Sequence, residues 1–144
     1  MRIVVQRVIK ASVNTDSELY SSIGSGLLLL VCFEAGDCEM TISNAVRKIS
    51  NLRIFEDSTG KMNLNITDIS GEILAVSQFT LSADLTKGNR PSFDSSISKE
   101  DAKALYIRFI DEMNHNVQCQ PGVFGEYMEV NLINDGPVTF YLEF

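Results

Sequence analysis

The sequence has few of the residues on which metal-dependent or nucleophilic catalysis commonly depends. Among its 144 residues there is no tryptophan and only one histidine, and the three cysteines show no C-x-x-C spacing. A single histidine cannot build the usual His/Cys zinc site, and no glycine-rich phosphate loop precedes a predicted helix. We therefore expect neither a metal ion nor another cofactor.

Long hydrophobic runs and positive charge are also scarce. The run "LLLLVCF" is far shorter than the roughly 18 residues of a membrane span, and the N-terminal segment lacks the features of a signal peptide. These absences predict a cytoplasmic protein with no membrane segment. The net charge is −7, with 12 Lys+Arg against 19 Asp+Glu, so a long surface that tracks phosphates is excluded and any nucleic-acid contact is expected to be local.

The remaining composition is typical of a globular protein. Hydrophobic residues make up 44% of the chain and charged residues 22%, with no linker, repeat or low-complexity segment. The length suits one domain over residues 1–144 with one core. Cys32 lies in the longest apolar run, which favours reduced, structural cysteines.

Hydrophobic periodicity predicts strands in both halves of the chain. In "RIVVQRVIKASV" the alternation places Ile3, Val5, Arg7 and Ile9 on one strand face, and Val4, Gln6, Val8 and Lys10 on the other. The run "LLLLVCFE" predicts a strand covered on both faces, and "GEILAVSQFT" predicts a second buried strand. Near the C-terminus, "EYMEVNLI" and "VTFYLEF" both alternate, with "NDGPVT" as a turn between them.

Two stretches of helical spacing complete the pattern. Apolar residues recur at helical intervals over 42–52 and over 102–113, and Ser98 with Asp101 forms a capping pattern ahead of the second stretch. The sequence thus predicts an α+β fold, with two helices packed on a mostly antiparallel, barrel-like sheet in β/β/α layers.

Two segments are candidates for chemistry, although their residues alone leave a structural role open. "SQFTL" (77–81) places Ser77, Gln78 and Thr80 where a buried strand ends, but such residues commonly satisfy local backbone groups. "NDGPVT" (134–139) contains a Gly-Pro step, and only about 5–6% of X-Pro bonds are cis. A cysteine hydrolase using Cys119 and His115 is disfavoured because "NHNVQCQPG" does not resemble a helix.

The two segments together resemble the motif pair of the D-aminoacyl-tRNA deacylases. The likeness extends to "QRV" with "ASV", "RIFED" with "GKMNLN", "KGNRPSF" and the closing "GPVTFYLEF", and so covers essentially the whole chain. It implies a hydrolase of chiral proofreading in translation that cleaves the ester between a D-amino acid and the 3′ end of tRNA. It also implies a homodimer with active sites at the subunit interface.

The resemblance assigns a role to each motif. Ser77, Gln78, Phe79 and Thr80 would form the catalytic segment, with backbone N–H groups of Phe79 and Thr80 as oxyanion donors. An aminoacyl ester is already activated, so a positioned water molecule or ribose hydroxyl replaces a protein nucleophile.

The Gly136–Pro137 peptide would be cis and would enter the partner's pocket, where it excludes L side chains but admits a glycyl group. By the same resemblance Arg7 supports this loop. We expect Lys87 and Arg90 to contact the tRNA 3′ end. The alternative is a non-catalytic homodimeric module that binds aminoacyl-adenosine or another small ligand.

Overall fold

The computed structural model describes residues 1–86, 88–93 and 97–144. The strands are β1 (Arg2–Thr15), β2 (Glu18–Ile23), β3 (Gly26–Cys32), β4 (Phe55–Glu56), β5 (Met62–Leu64), β6 (Glu72–Ser77), β7 (Cys119–Pro121) and β8 (Glu129–Glu143). The helices are α1 (Glu39–Ser50), α2 (Lys99–Asn114) and a short 3₁₀ helix (Phe79–Ser82). The two predicted α-helices are confirmed, and the Ser98 hydroxyl accepts a 3.1 Å hydrogen bond from the Asp101 amide as the cap of α2.

The main sheet has the strand order β2-β1-β3-β6-β7, and β8 also pairs with β1. Strand β1 is antiparallel to β2, β3 and β8, whereas β3–β6 and β6–β7 are parallel pairs. The Ser21 hydroxyl of β2 donates a 2.9 Å hydrogen bond to the Pro121 carbonyl of β7. This bond joins the two ends of the strand order, so the sheet curls towards a barrel and the predicted fold class is confirmed.

Apolar side chains fill both faces of the central strands. On one face the side chains of β3 and β6 pack with α1 and α2, where Ile49 and Phe109 are fully buried. On the opposite face Leu28 and Leu74 pack with residues of β1 and β2 and with Met128. The predicted coverage of β3 on both faces is confirmed. One core was expected, whereas the structure has two clusters of buried residues, one on each side of the sheet.

The alternation of β1 breaks in the middle of the strand. Ile3 and Val5 are buried with Arg7, but Val8 is also buried and Ile9 is 56% exposed. The pairing of β1 with β8 shifts register on both sides of Val8. Val8 does lie on the face opposite Ile3 and Val5, as predicted, and is buried there in the second cluster. The prediction that Ile9 shares the face of Ile3 and Val5 is wrong, because the pairing with β8 is irregular at this point.

The C-terminal segments differ from the prediction in a related way. Both halves of β8 pair with the same strand, since Asn134 is opposite Val8 and Thr139 is opposite Gln6. "NDGPVT" is thus an excursion within one long strand and does not turn one strand back onto another. Among the described residues, no helix is long and apolar enough to cross a membrane.

Candidate active site

A cavity of about 340 Å³ opens where β3 and β6 end. The two strands are parallel, so their C-terminal ends meet at one edge of the sheet, where α2 begins. The cavity is lined mainly by apolar and small side chains together with one lysine. Its lining residues are Val31, Cys32, Phe33, Ser77, Gln78, Phe79, Ser82, Ile97, Lys99, Ala102, Phe124 and Gly125.

Ser77, Gln78 and Phe79 line this cavity and Thr80 does not, and the conformation of the segment "SQFT" differs from the prediction. Strand β6 ends at Ser77, and the next residues form the 3₁₀ helix, so the alternating strand faces predicted for Gln78, Phe79 and Thr80 are wrong. The backbone amide of Gln78 still donates a hydrogen bond to the Val31 carbonyl at 2.8 Å. The amides of Phe79 and Thr80 open the helix, where the first N–H groups have no partner within the helix itself. Two adjacent backbone donors therefore lie at the end of β6.

The side chains of this segment contact one another and a neighbouring loop. The Gln78 amide nitrogen donates to the Thr80 hydroxyl at 2.5 Å. Phe79 is 64% exposed, and its ring packs on the ring of Phe93 with centroids 5.1 Å apart. The Phe93 ring thus packs on the exposed ring of Phe79, beside the cavity. It does not anchor its loop in the buried core.

The cavity contains a thiol without a base that could activate it. Cys32 is buried, and its sulfur lies 3.6 Å from the carbonyl oxygens of Phe33 and Phe79. Burial is the main cause that raises the pKa of this thiol, so the thiol stays protonated and is a poor nucleophile. The histidine, His115, is exposed at the end of α2.

The other two cysteines have opposite environments. Burial raises the pKa of Cys119 to about 12, which agrees with the structural role expected for it and disfavours a cysteine hydrolase. Cys38 is exposed at the start of α1, and a hydrogen bond from the Thr41 amide is the main cause that lowers its pKa. Cys38 is therefore not part of the core, unlike Cys32 and Cys119. The described part of the chain holds no cluster of three or more His, Cys, Asp or Glu side chains suited to a metal ion.

The Gly136–Pro137 peptide bond is cis and lies in an exposed loop of β8. Asn134 closes the base of this loop, because its side-chain amide donates to the Val138 carbonyl at 3.0 Å and accepts from the Val138 amide at 3.2 Å. A Cβ atom on Gly136 would overlap the Val138 nitrogen and the Asn134 oxygen. The loop itself therefore requires glycine at this position.

Arg7 contacts the same loop from β1. Its side chain is buried, and Nε lies 2.9 Å from the Asp135 carbonyl and 3.0 Å from the Asp135 carboxylate. A second guanidinium nitrogen donates to the Ile54 carbonyl at 2.6 Å. The arginine thus joins the Gly-Pro loop to the segment that follows α1, whereas its predicted role in selectivity stays a prediction.

The two motifs do not meet within one subunit. Gly136 and Pro137 are absent from the residues that line the cavity. The 3₁₀ helix contacts β1 at Arg2, and the Gly-Pro loop contacts β1 at Arg7. These positions are about 16 Å apart along a strand. A cavity that is completed by the loop would have to receive it from another subunit.

The remaining predicted residues are Lys87 and Arg90. Lys87 lies outside the described residues, and Arg90 is exposed.

Sequence patterns missed Asn134 and the cavity residues Lys99 and Phe124. Each lies at a position where local periodicity gives no functional signal.

Sequence and structure comparisons identify the family of the chain. The profile of a family described as "D-Tyr-tRNA(Tyr) deacylase" matches residues 4–143. A D-aminoacyl-tRNA deacylase of Chlorobaculum tepidum is 51% identical, covering 99% of this chain and 97% of the relative. One from Magnetococcus marinus is 48% identical, covering 99% of this chain and 96% of the relative.

Two solved structures have the same fold. One, named "c-Myc DNA Unwinding Element Binding Protein", is 41% identical with a TM-score of 0.94 and covers 99% of this chain and 98% of its own. A probable eukaryotic D-amino acid tRNA deacylase is 18% identical with a TM-score of 0.86, and the match covers 98% of this chain and 97% of the other. At this identity the likeness is one of fold. The full-length match to the family profile and to relatives near 50% identity shows that the chain belongs to the D-aminoacyl-tRNA deacylase family.

Proposed function

We propose that this protein hydrolyses the ester bond of D-aminoacyl-tRNA and releases a free D-amino acid and tRNA. The observation that carries the proposal is the cavity at the ends of β3 and β6, where Phe79, the first residue of the 3₁₀ helix, lies beside a thiol whose pKa is raised by burial, and where the lining residues include no histidine or carboxylate. This arrangement suits an activated ester, which requires positioning and oxyanion stabilisation more than a strong nucleophile.

The reaction then needs only groups of the backbone and the substrate. Water, assisted by a vicinal ribose hydroxyl of the substrate, adds to the ester carbonyl carbon, and the carbonyl oxygen gains negative charge. The amides of Phe79 and Thr80 donate to this oxygen. The bond from the carbonyl carbon to the ribose oxygen breaks, and that oxygen receives the proton released by the attacking water molecule.

A homodimer completes each cavity in this proposal. Strand β8 pairs with β1 and leaves apolar side chains exposed on both sides of the Gly-Pro loop, with Ile133 46% exposed and Phe140 38% exposed. Ile9, beside them on β1, is 56% exposed. An exposed apolar edge strand of this kind favours an interface between copies of the chain.

The Gly136–Pro137 loop of one subunit then enters the partner's cavity and sets chirality. It receives the substrate's amino group and occupies the side on which an L side chain would lie, so L-aminoacyl esters are rejected by exclusion. A glycyl ester has no side chain to reject, so glycyl-tRNA is also a substrate. Arg7 and Asn134 hold the loop in position.

Contact with tRNA is restricted to its 3′ end. The net charge of −7 opposes a long phosphate interface, and a few cations near the cavity suffice for the terminal nucleotides. We assign Lys87 and Arg90 to these contacts, since both follow the segment of the 3₁₀ helix closely in the sequence.

Complementation between subunits tests the cross-subunit part of the proposal. Gly136→Ala displaces the loop by overlap with Val138 and Asn134, and Ala102→Phe fills the cavity from α2. Each variant alone should hydrolyse D-aminoacyl-tRNA poorly. After subunit exchange, half of the dimers are heterodimers with one intact site, so we expect up to about a quarter of the wild-type rate. A mixture that stays as inactive as its components, although heterodimers form, contradicts a cross-subunit loop.

A further inference from the structure

We propose that Arg2 is a positioning residue for ester hydrolysis, which holds the 3₁₀ helix so that the amides of Phe79 and Thr80 point at the reacting carbonyl. This inference rests on the proposed function. Arg2 lies at the start of β1 and outside the cavity lining, and no sequence motif distinguishes it.

The contact that carries the inference is a hydrogen bond to the far end of the 3₁₀ helix. One guanidinium nitrogen of Arg2 donates to the Leu81 carbonyl at 2.8 Å. The last carbonyl groups of a helix lack partners within it, and an arginine is a strong donor for them. Arg2 therefore satisfies the C-terminal end of the same short helix whose N-terminal amides face the substrate.

Arg2 is itself held by two carboxylates from other elements. Its second terminal nitrogen lies 3.0 Å from the Glu34 carboxylate, and its Nε lies 3.6 Å from Glu143 on β8. Nε is buried and has no hydrogen-bond partner within the described residues. The orientation of the guanidinium is thus set by Leu81 and Glu34. This geometry joins the 3₁₀ helix to the end of β3 and to β8.

The 3₁₀ helix needs such support because its own bonds are few. It has only four residues, and the bonds at its ends, from Leu81 to the Gln78 carbonyl and from Ala83 to the Thr80 carbonyl, are both 3.2 Å long. Short 3₁₀ helices have weaker hydrogen-bond geometry than α-helices. The segment is also held at its start by the bond from the Gln78 backbone amide to the Val31 carbonyl, and at Phe79, whose carbonyl accepts a 2.8 Å hydrogen bond from the Ser82 hydroxyl. Arg2 adds the contact at the far end, at Leu81, and we expect that end to move more when the contact is lost.

Loss of this contact should reduce the chemical step more than substrate binding. Arg2→Met keeps the aliphatic stem and removes the donor, and we expect kcat to fall about tenfold to hundredfold while KM changes less than about twofold. Arg2→Lys offers one ammonium group in place of a fork of donors, so its kcat should lie between those of Arg2→Met and wild type. Arg108→Met is the matched control, because it removes an exposed ion pair to Glu39 at 2.7 Å on the helical side.

The experiment combines steady-state hydrolysis over a range of D-aminoacyl-tRNA concentrations, which gives kcat and KM, with hydrogen exchange of the folded protein. We expect the hydrogen-bonded amides of Leu81 and Ala83 to exchange at least about tenfold faster in Arg2→Met, with α1 and α2 unchanged. Arg108→Met should leave both kcat and exchange at wild-type values. If wild type hydrolyses the ester and folded Arg2→Met keeps the wild-type kcat, whether or not its KM rises, the role of Arg2 is refuted and the proposed function is not. If wild type is inactive, the proposed function fails and the inference with it.

Discussion

Removal of the Arg7 side chain is the perturbation that tests most fully how the Gly-Pro loop is held. Arg7→Met keeps the buried stem and removes the guanidinium. The bond to the Ile54 carbonyl is buried and charge-assisted, and such bonds contribute about 1.5–3 kcal/mol. The Asp135 side chain is 46% exposed, so the ion pair with it is screened by solvent and adds about 1 kcal/mol or less.

These contributions predict a loss of about 3 kcal/mol in the free energy of unfolding. For a chain of this length the melting temperature should fall by about 10 °C, measured by calorimetry or circular dichroism. Arg7→Lys should lose less, because one ammonium group can still reach one of the carbonyl oxygens. Arg108→Met, whose ion pair is exposed on both sides, should change the melting temperature by less than about 2 °C.

The functional consequence follows from the position of the loop. In the folded Arg7→Met protein, assayed well below its melting temperature, the ratio of D- to L-aminoacyl-tRNA hydrolysis should fall at least about tenfold, since the loop is no longer held at Asp135. A variant that loses the predicted stability but keeps the wild-type ratio would refute the link between Arg7 and selectivity. A wild-type melting temperature would refute the energetic reasoning.

The remaining predictions concern single groups of the site. Thr80→Val should keep more than about a tenth of the wild-type rate, because the amide donor survives, whereas loss of a true oxyanion donor costs about 10²–10³-fold; a larger loss in folded protein would assign the hydroxyl a chemical role. Iodoacetamide should modify Cys38 before Cys32 and Cys119, since hydrogen bonding lowers the pKa of Cys38 and burial raises the other two; loss of activity on modification of Cys38 alone would contradict thiol-independent hydrolysis. Gly136→Ala should lower the melting temperature as well as activity on D-aminoacyl and glycyl esters, because the added methyl overlaps the loop itself; unchanged stability would show that the loop has room.

Sequence periodicity predicted the elements whose burial is uniform along their length. Strand β3 is covered on both faces along its length, and α1 and α2 each bury one face. The apolar run and the helical spacing in the sequence therefore matched the structure. Strand β7 has only three residues and shows no periodicity, so no local pattern could predict it.

Irregular pairing explains the larger differences. The bulge at Val8 and the loop in β8 are both set by the register between two strands that are distant in sequence. Alternation at period two is the same whether neighbouring segments pair with each other or with a third strand, so "EYMEVNLI" and "VTFYLEF" could not show that both pair with β1.

The site was predictable in its motifs and not in its geometry. The resemblance selected "SQFTL" and "NDGPVT", and the structure places the first beside a cavity. The 3₁₀ helix after Ser77 was missed, because the apolar residues of that segment fit a strand pattern equally well. The support from Arg2 and Arg7 is made by contacts to the backbone carbonyl groups of Leu81 and Ile54, which are distant in the sequence, and such contacts have no local sequence signal.

Hydrolysis of matched D- and L-aminoacyl-tRNA is the measurement that tests the central claim most directly. The same tRNA, charged with the D and the L form of one amino acid, is incubated with substrate in large excess over protein, and free amino acid is measured over time against spontaneous hydrolysis. The account predicts many turnovers of the D ester, with the L ester at the uncatalysed rate, and no effect of a metal chelator. Protection of the D ester from hydrolysis, or equal turnover of both esters, would contradict it.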